Sequence, residues 1–380
     1  MKIGILTGGG DVAPLNAIIA SVIDSCRSHS VELFGFIKGW NGILLNELIQ
    51  LDNKTINANI GGTILKSSRV NLKSIANGSE KILQQLKKNK IDGLIVIGGE
   101  DTLSNALYLK DFPMVLISKT IDNDVGKYQN GIFLNYFTMG YPTAAAKIAS
   151  FVSLAEGLRT TAYSHERIIV VESMGMHAGW LAAASSLGYP DFIIIPEFPL
   201  DFNKFVLKVI ERYNKEKNVI VVISEGARWA SGEYISADEN QKDSFGHPRF
   251  RGTADALTQK LKVHLKNHFD TRNINSVNPS YLYRSGQSSF LDQKIANKIG
   301  AEAVRVLFQG INNTVFLGTA FIKNRFEIEL TDFSLIKNIE EFHRFIDDTI
   351  YNPSDYNITT VGMKYFSQIM QPIANYTYGI

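Results

Sequence analysis

The 380-residue sequence contains a single cysteine, Cys26, so no intrachain disulfide can form. A chain held together without disulfides suits a reducing cytoplasm. No apolar run approaches the roughly 20 residues needed to span a bilayer. The N-terminal Met1-Lys2-Ile3-Gly4-Ile5-Leu6 runs into glycines too early to form a signal-peptide core. There is no excess of either charge: 39 Lys and Arg stand against 37 Asp and Glu. This removes the basic surplus that a nucleic-acid or membrane-surface partner usually requires, leaving at most a local patch. Low-complexity linkers and short-period repeats are also absent. The expectation is a soluble, cytoplasmic protein with neither nucleic-acid nor membrane partners.

What is present is apolar sequence in short runs. Hydrophobic residues make up 45% of the chain, enough for a sizeable core in one or two domains. Ile3–Leu6, Leu94–Ile97, Val115–Ile117, Ile168–Val171, Phe192–Ile195 and Val219–Ile223 are continuous rather than alternating, the pattern of strands buried on both faces. Between them, Leu15–Ile23, Ile82–Leu86 and Phe205–Tyr213 have helical spacing. Strand and helix in alternation predict parallel sheets covered by helices. Ser231–Arg251 is the most polar stretch and reads as an exposed excursion. The tail beyond about Thr331 is less patterned, and its aromatics (Phe333, Phe342, Phe345, Tyr351, Tyr356) predict that it packs on the body.

Most of the strands end on glycine or a carboxylate. Leu6 leads to Gly8-Gly9-Gly10-Asp11, Ile97 to Gly98-Gly99-Glu100-Asp101, and Ile117 to Lys119 and two aspartates. Val171 leads to Glu172, Ile195 to Glu197, and Ser224 to Glu225. Ligands of open α/β sheets bind beyond the carboxyl ends of strands, so the series reads as a site signature. Any one instance is also ordinary turn chemistry.

Four segments carry candidate chemistry. Gly9 and Gly10 let a backbone approach phosphate, with N–H groups at the next helix start, near Asn16, to receive it. Asp11 can orient a metal-bound water. The segment lacks the Lys-Ser/Thr of a P-loop and the third glycine of a dinucleotide fold. Gly61-Gly62-Thr63 through Ser67-Ser68-Arg69 offers hydroxyls and a guanidinium suited to an oxyanion. Gly99-Glu100-Asp101 offers carboxylates for Mg²⁺ or, alternatively, caps for a following helix over Leu103–Leu107. Lys119-Thr120-Ile121-Asp122-Asn123-Asp124 holds a lysine and two aspartates within six residues. One carboxylate can accept a hydroxyl proton and the other can hold Mg²⁺, while the lysine neutralises phosphate oxygens.

Taken in order, Gly-Gly-Asp, Gly-Gly-Thr…Ser-Arg, Gly-Gly-Glu-Asp, Thr-Ile-Asp-Asn-Asp, His165-Glu166-Arg167 and Glu172-Ser173-Met174-Gly175 resemble the phosphofructokinase family. The match is clear over residues 1–230 and looser over 280–305. The resemblance implies an α/β fold of two similar three-layer α/β/α domains with mostly parallel sheets and the active site between them. The expected division is 1–138 plus about 285–335 for the phosphate donor, and 139–284 plus about 336–380 for the sugar phosphate. By motif, Asp122 matches the base that deprotonates the sugar hydroxyl. Asp124 and Glu100 match Mg²⁺-associated positions, and Arg69 meets the transferring phosphoryl group. Gly9, Gly10, Asp11, Gly99, Asp101 and Lys119 fall on the donor side. Thr120, Asp122, Arg167, Met174, Gly175, Glu225, Tyr281 and Arg284 fall on the sugar-phosphate side. Arg167 matches a 6-phosphate ligand supplied by a neighbouring subunit, which implies a homodimer or homotetramer.

Asp101 and Lys119 stand where ATP-using members resemble glycine, and the pair resembles the pyrophosphate-dependent branch, as does His177-Ala178-Gly179-Trp180. Pyrophosphate is therefore the expected donor and fructose 6-phosphate the expected acceptor. Allosteric regulation is not expected: Ala20 and Asp24 stand at positions that are arginine in regulated members, and only Arg159 is basic. Three departures bear on the acceptor. Met176 replaces a family arginine, Asn275 stands where a basic 6-phosphate ligand is expected (Arg272 is three residues off), and Tyr281 replaces a frequent histidine. ATP use, a different sugar or sugar phosphate, and an impaired paralogue acting as a regulatory subunit remain the alternatives. A dinucleotide oxidoreductase lacks its Gly-x-Gly-x-x-Gly spacing, and His264 with His268 lacks the glutamate and third ligand of a metalloenzyme. Cys26 reads as a core residue on the first helix rather than a nucleophile.

Overall fold

A computed structural model describes residues 1–380 except 110, 127, 130–131, 134, 243–247, 251, 334–341 and 375–380; for 128–129, 132–133, 237–242 and 248–250 it describes the backbone alone. The main strands are β1 (Lys2–Thr7), β2 (Glu32–Phe36), β3 (Leu48–Gln50), β4 (Gly93–Gly98), β5 (Met114–Ser118), β6 (Ile168–Ser173), β7 (Phe192–Ile194), β8 (Val219–Ser224), β9 (Ile274–Val277), β10 (Thr314–Ile322) and β11 (Arg325–Asp332). The chain forms two compact units. Unit 1 comprises residues 1–143 and 284–344, and unit 2 residues 144–283 and 345–380. Phe342–Arg344 thus belongs to unit 1, whereas the boundary near 335 drawn from sequence assigned it to the other domain.

Unit 1 holds a seven-stranded sheet of order β11-β10-β5-β4-β1-β2-β3. Its five central strands are parallel, and β3 and β11 run antiparallel at the two edges. Every residue of β4 and β5 is buried, as the continuous apolar runs predict. Leu94, Val96, Met114 and Leu116 share one core with Ile82 and Leu86 of the helix Gly78–Lys88. The alternate residues Ile95, Ile97, Val115 and Ile117 are equally buried. On their face a Cβ at Gly93 would lie 2.8 Å from Leu307 Cδ2 of the helix Phe290–Phe308, which packs along the helix Leu15–Ser28. Cys26 is fully buried on the latter, and burial pushes its thiol up to about 12, in keeping with a core role.

Unit 2 carries a four-stranded, all-parallel sheet of order β9-β6-β8-β7. Phe205, Val209 and Tyr213 of the helix Phe202–Glu216 and Leu257 and Leu261 of the helix Thr253–Leu265 pack on Val170, Val221 and Ile223. Of the polar stretch Ser231–Arg251, residues 243–247 and 251 lie outside the described residues; Ala237–Lys242 pairs with Pro248–Phe250. In the tail, Phe333, Phe342, Tyr351 and Tyr356 are buried, but Phe345 is 48% exposed.

Candidate active site

The strand order of unit 1 reverses between β1 and β4. From β1 the chain proceeds outward to β2, and from β4 it proceeds the other way to β5. Such a switch point leaves a crevice at the carboxyl ends of the two strands, where ligands of open α/β sheets bind. Register makes the ends level: Thr7 pairs with Ile97, and Gly98 with Ser118. Gly8–Asp11, Gly99–Asp101 and Lys119–Asp124 therefore leave the sheet side by side.

Two of the strand-end glycines are steric requirements. A Cβ at Gly98 would sit 2.2 Å from Thr102 Cβ, and one at Gly8 would sit 2.5 Å from Thr102 Oγ1. Thr102 is buried in the first turns after β4 and fills the space both glycines leave. The helix there begins at Glu100, three residues earlier than expected, and runs to Ser104. Gly99 occupies the cap position without a side-chain cap, and Glu100 and Asp101 lie in the first turn, so neither carboxylate caps. The backbone N–H of Asn16 is likewise committed, donating to Gly62 O at 3.2 Å rather than standing open at the helix start. The second glycine segment is thereby tied to the first. Gly9 N–H donates to Ser68 O at 3.2 Å, Ser67 Oγ donates to Gly9 O, and the Thr7 and Thr63 hydroxyls lie 3.0 Å apart.

Lys119 is buried, and its ammonium donates to the carbonyl of Gly10. Burial, followed by the positive charge of Arg284, lowers its pKa to about 7. Asp11 and Asp122 act against this, and Arg69 adds to it. Arg284 Nε lies 3.4 Å from Asp11 Oδ1, and a Cβ at Gly10 would meet the same guanidinium. Sequence grouped Arg284 with the sugar-phosphate side; in the structure it belongs to unit 1, against the glycine-rich end of β1. Lys119, Arg284 and Arg69 thus bring three cationic side chains to one strand-end region.

Asp122 and Asp124 flank Asn123, which takes a left-handed φ of +55° and buries its side chain, accepting from Thr138 N–H at 3.0 Å. Asp122 N–H donates to Thr120 Oγ1 at 3.1 Å. Burial, then repulsion from Glu100, raises the pKa of Asp124, and the cations of His343 and Arg344 oppose the rise. His343 Nε2 lies 2.7 Å from Glu100 Oε2. Among the described residues, no cluster of three or more His, Cys, Asp or Glu is arranged to hold a metal. Two mutually repelling carboxylates nevertheless fit Mg²⁺, which takes one or two protein carboxylates and completes its shell with water and phosphate oxygens.

In unit 2 the strand-end carboxylates divide by role. Glu172 accepts from Ala254 N–H and Asn278 Nδ2, each at 2.8 Å, and its carbonyl accepts from Tyr283 OH at 3.0 Å. Glu197 accepts from Gly179 N–H at 3.0 Å and Ile346 N–H at 3.0 Å. Both brace the backbone. Glu225 lies at the end of β8 and accepts from Gly175 N–H at 3.1 Å; Gly175 has φ +122°, and its carbonyl accepts from Gly226 N–H and Ser224 Oγ. Ser173 and Ser224 are in register, so Met174, Gly175 and Glu225 adjoin. Arg167 donates to Thr161 Oγ1 at 2.8 Å. Tyr281 is 65% exposed on a short turn. Arg272 is held by Asp270 at 2.7 Å, and Arg159 by Asp191, whose side chain is 3% exposed, at 2.6 Å. His264 and His268 are exposed.

Sequence reasoning missed His343, Arg344 and the buried Asp292. No motif marks them, because each acts on residues distant in the chain. Asp292 accepts from Gly140 N–H and Thr143 N–H at 2.9 Å each, and burial raises its pKa to about 6.

The fold is that of an α/β protein with glycines, cations and carboxylates gathered at one switch point. The chain belongs to the phosphofructokinase family, whose model matches residues 2–307. It is 35% identical over 317 residues to the ATP-dependent 6-phosphofructokinase 3 of Streptomyces coelicolor, covering 82% of this chain and 88% of that one. It is 36% identical over 316 residues to the pyrophosphate–fructose 6-phosphate 1-phosphotransferase of Amycolatopsis mediterranei, with the same coverage. The crystal structure of a pyrophosphate-dependent phosphofructokinase from Nitrosospira multiformis shares the fold, with a TM-score of 0.82 at 22% identity over 100% of this chain and 94% of that one. Among the described residues, no helix is long and apolar enough to cross a membrane.

Proposed function

We propose that this protein transfers a phosphoryl group from pyrophosphate to the 1-hydroxyl of fructose 6-phosphate. The observation that carries the choice of donor is the buried Lys119 ammonium at the Gly10 carbonyl, beside Arg284. ATP-using members of the family resemble glycine at this position and at Asp101. Here a lysine projects into the end of β1, which suits a compact, highly charged diphosphate, and by the same resemblance a side chain at Asp101 would intrude where the nucleotide lies in ATP-using members.

In this reading Asp122 accepts the proton of the attacking hydroxyl, and Arg69 and Lys119 neutralise the transferring phosphoryl oxygens. Gly9, Gly10, Asp11 and Gly99 line the donor. Asp124 and Glu100 would hold Mg²⁺, which would supply charge neutralisation on the phosphate oxygens. Met174, Gly175, Glu225 and Arg167 serve the sugar phosphate, with Arg167 contributed to a neighbouring subunit of a homo-oligomer.

The test is steady-state turnover of the purified protein with Mg²⁺, either pyrophosphate or ATP, and a panel of sugars and sugar phosphates. Turnover with ATP and none with pyrophosphate would sink the reading. Asp101→Gly combined with Lys119→Gly is expected to weaken pyrophosphate use. A second acceptor is favoured by one observation: Met176 and Asn275 leave two family cations absent, and the nearby Arg272 is paired to Asp270. The same panel distinguishes fructose 6-phosphate from an acceptor without a 6-phosphate.

A further inference from the structure

The segment Phe342–Arg344 lies beyond residue 307, where the family match ends. It runs antiparallel along the loop that carries Asp122 and Asp124. Gly126 N–H donates to Phe342 O and Arg344 N–H to Asp124 O, both at 2.8 Å, and Val125 faces His343. The Arg344 side chain is 1% exposed. Its Nε and Nη2 donate to Asn123 O at 2.9 and 2.6 Å, and its Nη1 donates to Tyr136 O at 2.9 Å and to Asn135 O.

A buried guanidinium is costly unless its donors are satisfied. Here they converge on backbone carbonyls, and the forked geometry of Arg lets one side chain bridge two stretches of chain. The carbonyl that receives two of its donors belongs to Asn123, the left-handed residue between Asp122 and Asp124. Asn123 is held a second time through its side chain, by Thr138 N–H. A loop so held loses little conformational freedom when a substrate arrives, which is how pre-organisation raises the rate of a positioned reaction.

We propose that Arg344 is a positioning residue that fixes the Thr120–Gly126 loop, and with it the two aspartates, from behind. The proposal rests on the roles given above to Asp122 and Asp124. Deuterium exchange on the full-length protein, which needs no turnover, tests the positioning separately from those roles.

In Arg344→Met, amide exchange across residues 120–126 is expected to accelerate about tenfold or more, while exchange in β4 and β6 stays as in the wild type. Turnover is expected to fall about 100-fold in kcat, with the donor KM changed by less than about threefold. Arg344→Lys keeps a charge and part of the donor set, and is expected to recover part of both losses. Unchanged exchange at 120–126 in Arg344→Met overturns the proposal. So does acceleration spread evenly over unit 1, which would make Arg344 a general stabilising residue. If Arg344→Met does not fold, Arg344→Lys decides by the same criteria. If the wild type turns over no donor, the functional reading fails and the exchange pattern alone decides whether Arg344 positions the loop.

Discussion

The Lys119 ammonium donates to the carbonyl oxygen of Gly10, joining the end of β5 to the end of β1 across the intervening β4. Burial and the neighbouring Arg284 bring its pKa down to about 7. An anion bound there would pull it back up, because it favours the charged amine. At pH 8, pyrophosphate binding is therefore expected to take up close to one proton at Lys119. Calorimetry in buffers of different ionisation enthalpy measures this. Lys119→Met is expected to abolish the uptake and weaken binding by about 10-fold or more, the weight of one charge-assisted contact.

Asp122 sits on a loop held by Arg344 and Thr138, so an isosteric change should leave the loop in place. Asp122→Asn is expected to lower kcat by about 10³-fold with the donor KM nearly constant, the usual weight of a general base. Steady-state kinetics with pyrophosphate check this. Activity that survives the substitution removes Asp122 from its proposed role.

Asp292 ties the start of the helix Phe290–Phe308 to Gly140 and Thr143. Its pKa is raised by burial to about 6 from an ordinary value of 3.8. The folded state thus holds the proton more tightly than the unfolded chain. The stability linked to this group is fully present below about pH 4 and is lost as pH rises through 6. Roughly two pKa units correspond to about 3 kcal/mol. Relative to Asp292→Asn, the wild type is expected to lose about 2 kcal/mol of this between pH 4 and 6.5 in urea unfolding. A difference that stays flat with pH contradicts this.

Glu172 lies at a strand end, as a catalytic carboxylate would, yet its oxygens are occupied by Ala254 N–H and the Asn278 amide. Glu172→Ala strands these donors and is expected to cost about 2–4 kcal/mol, seen as a lowered urea midpoint. Pyrophosphate affinity, which the proposed function assigns to residues of unit 1, is expected to be unchanged by calorimetry.

How far the chain could be read varied with the range of the interactions involved. The six apolar runs were legible because a strand buried on both faces needs no partner to announce it. Helices were legible where one face repeats, as in Leu15–Ile23, although the helix continues to Ser28. Five of the eleven main strands escaped notice. β2 and β3 are short and partly exposed, β9 carries Asn275 and Ser276, and the antiparallel pair β10–β11 lies late in the chain; the run Val315–Phe321 was nonetheless a usable signal. The start of the helix at Glu100 was misjudged because Gly99 caps it without a side chain.

By itself the sequence determined the family, the strand-end glycines and carboxylates, and the Lys119–Asp124 segment, since these depend on residue type at short spacing. Only the tertiary structure decided which strand ends share the switch point, that Glu172 and Glu197 accept from backbone N–H groups, and that Arg284 lies against Gly10. It alone showed Arg344 gripping Asn123 from 221 positions away. A hydrogen bond to a backbone carbonyl leaves no trace in the identity of the residue that owns the carbonyl, so such a contact cannot be read until the chain is folded.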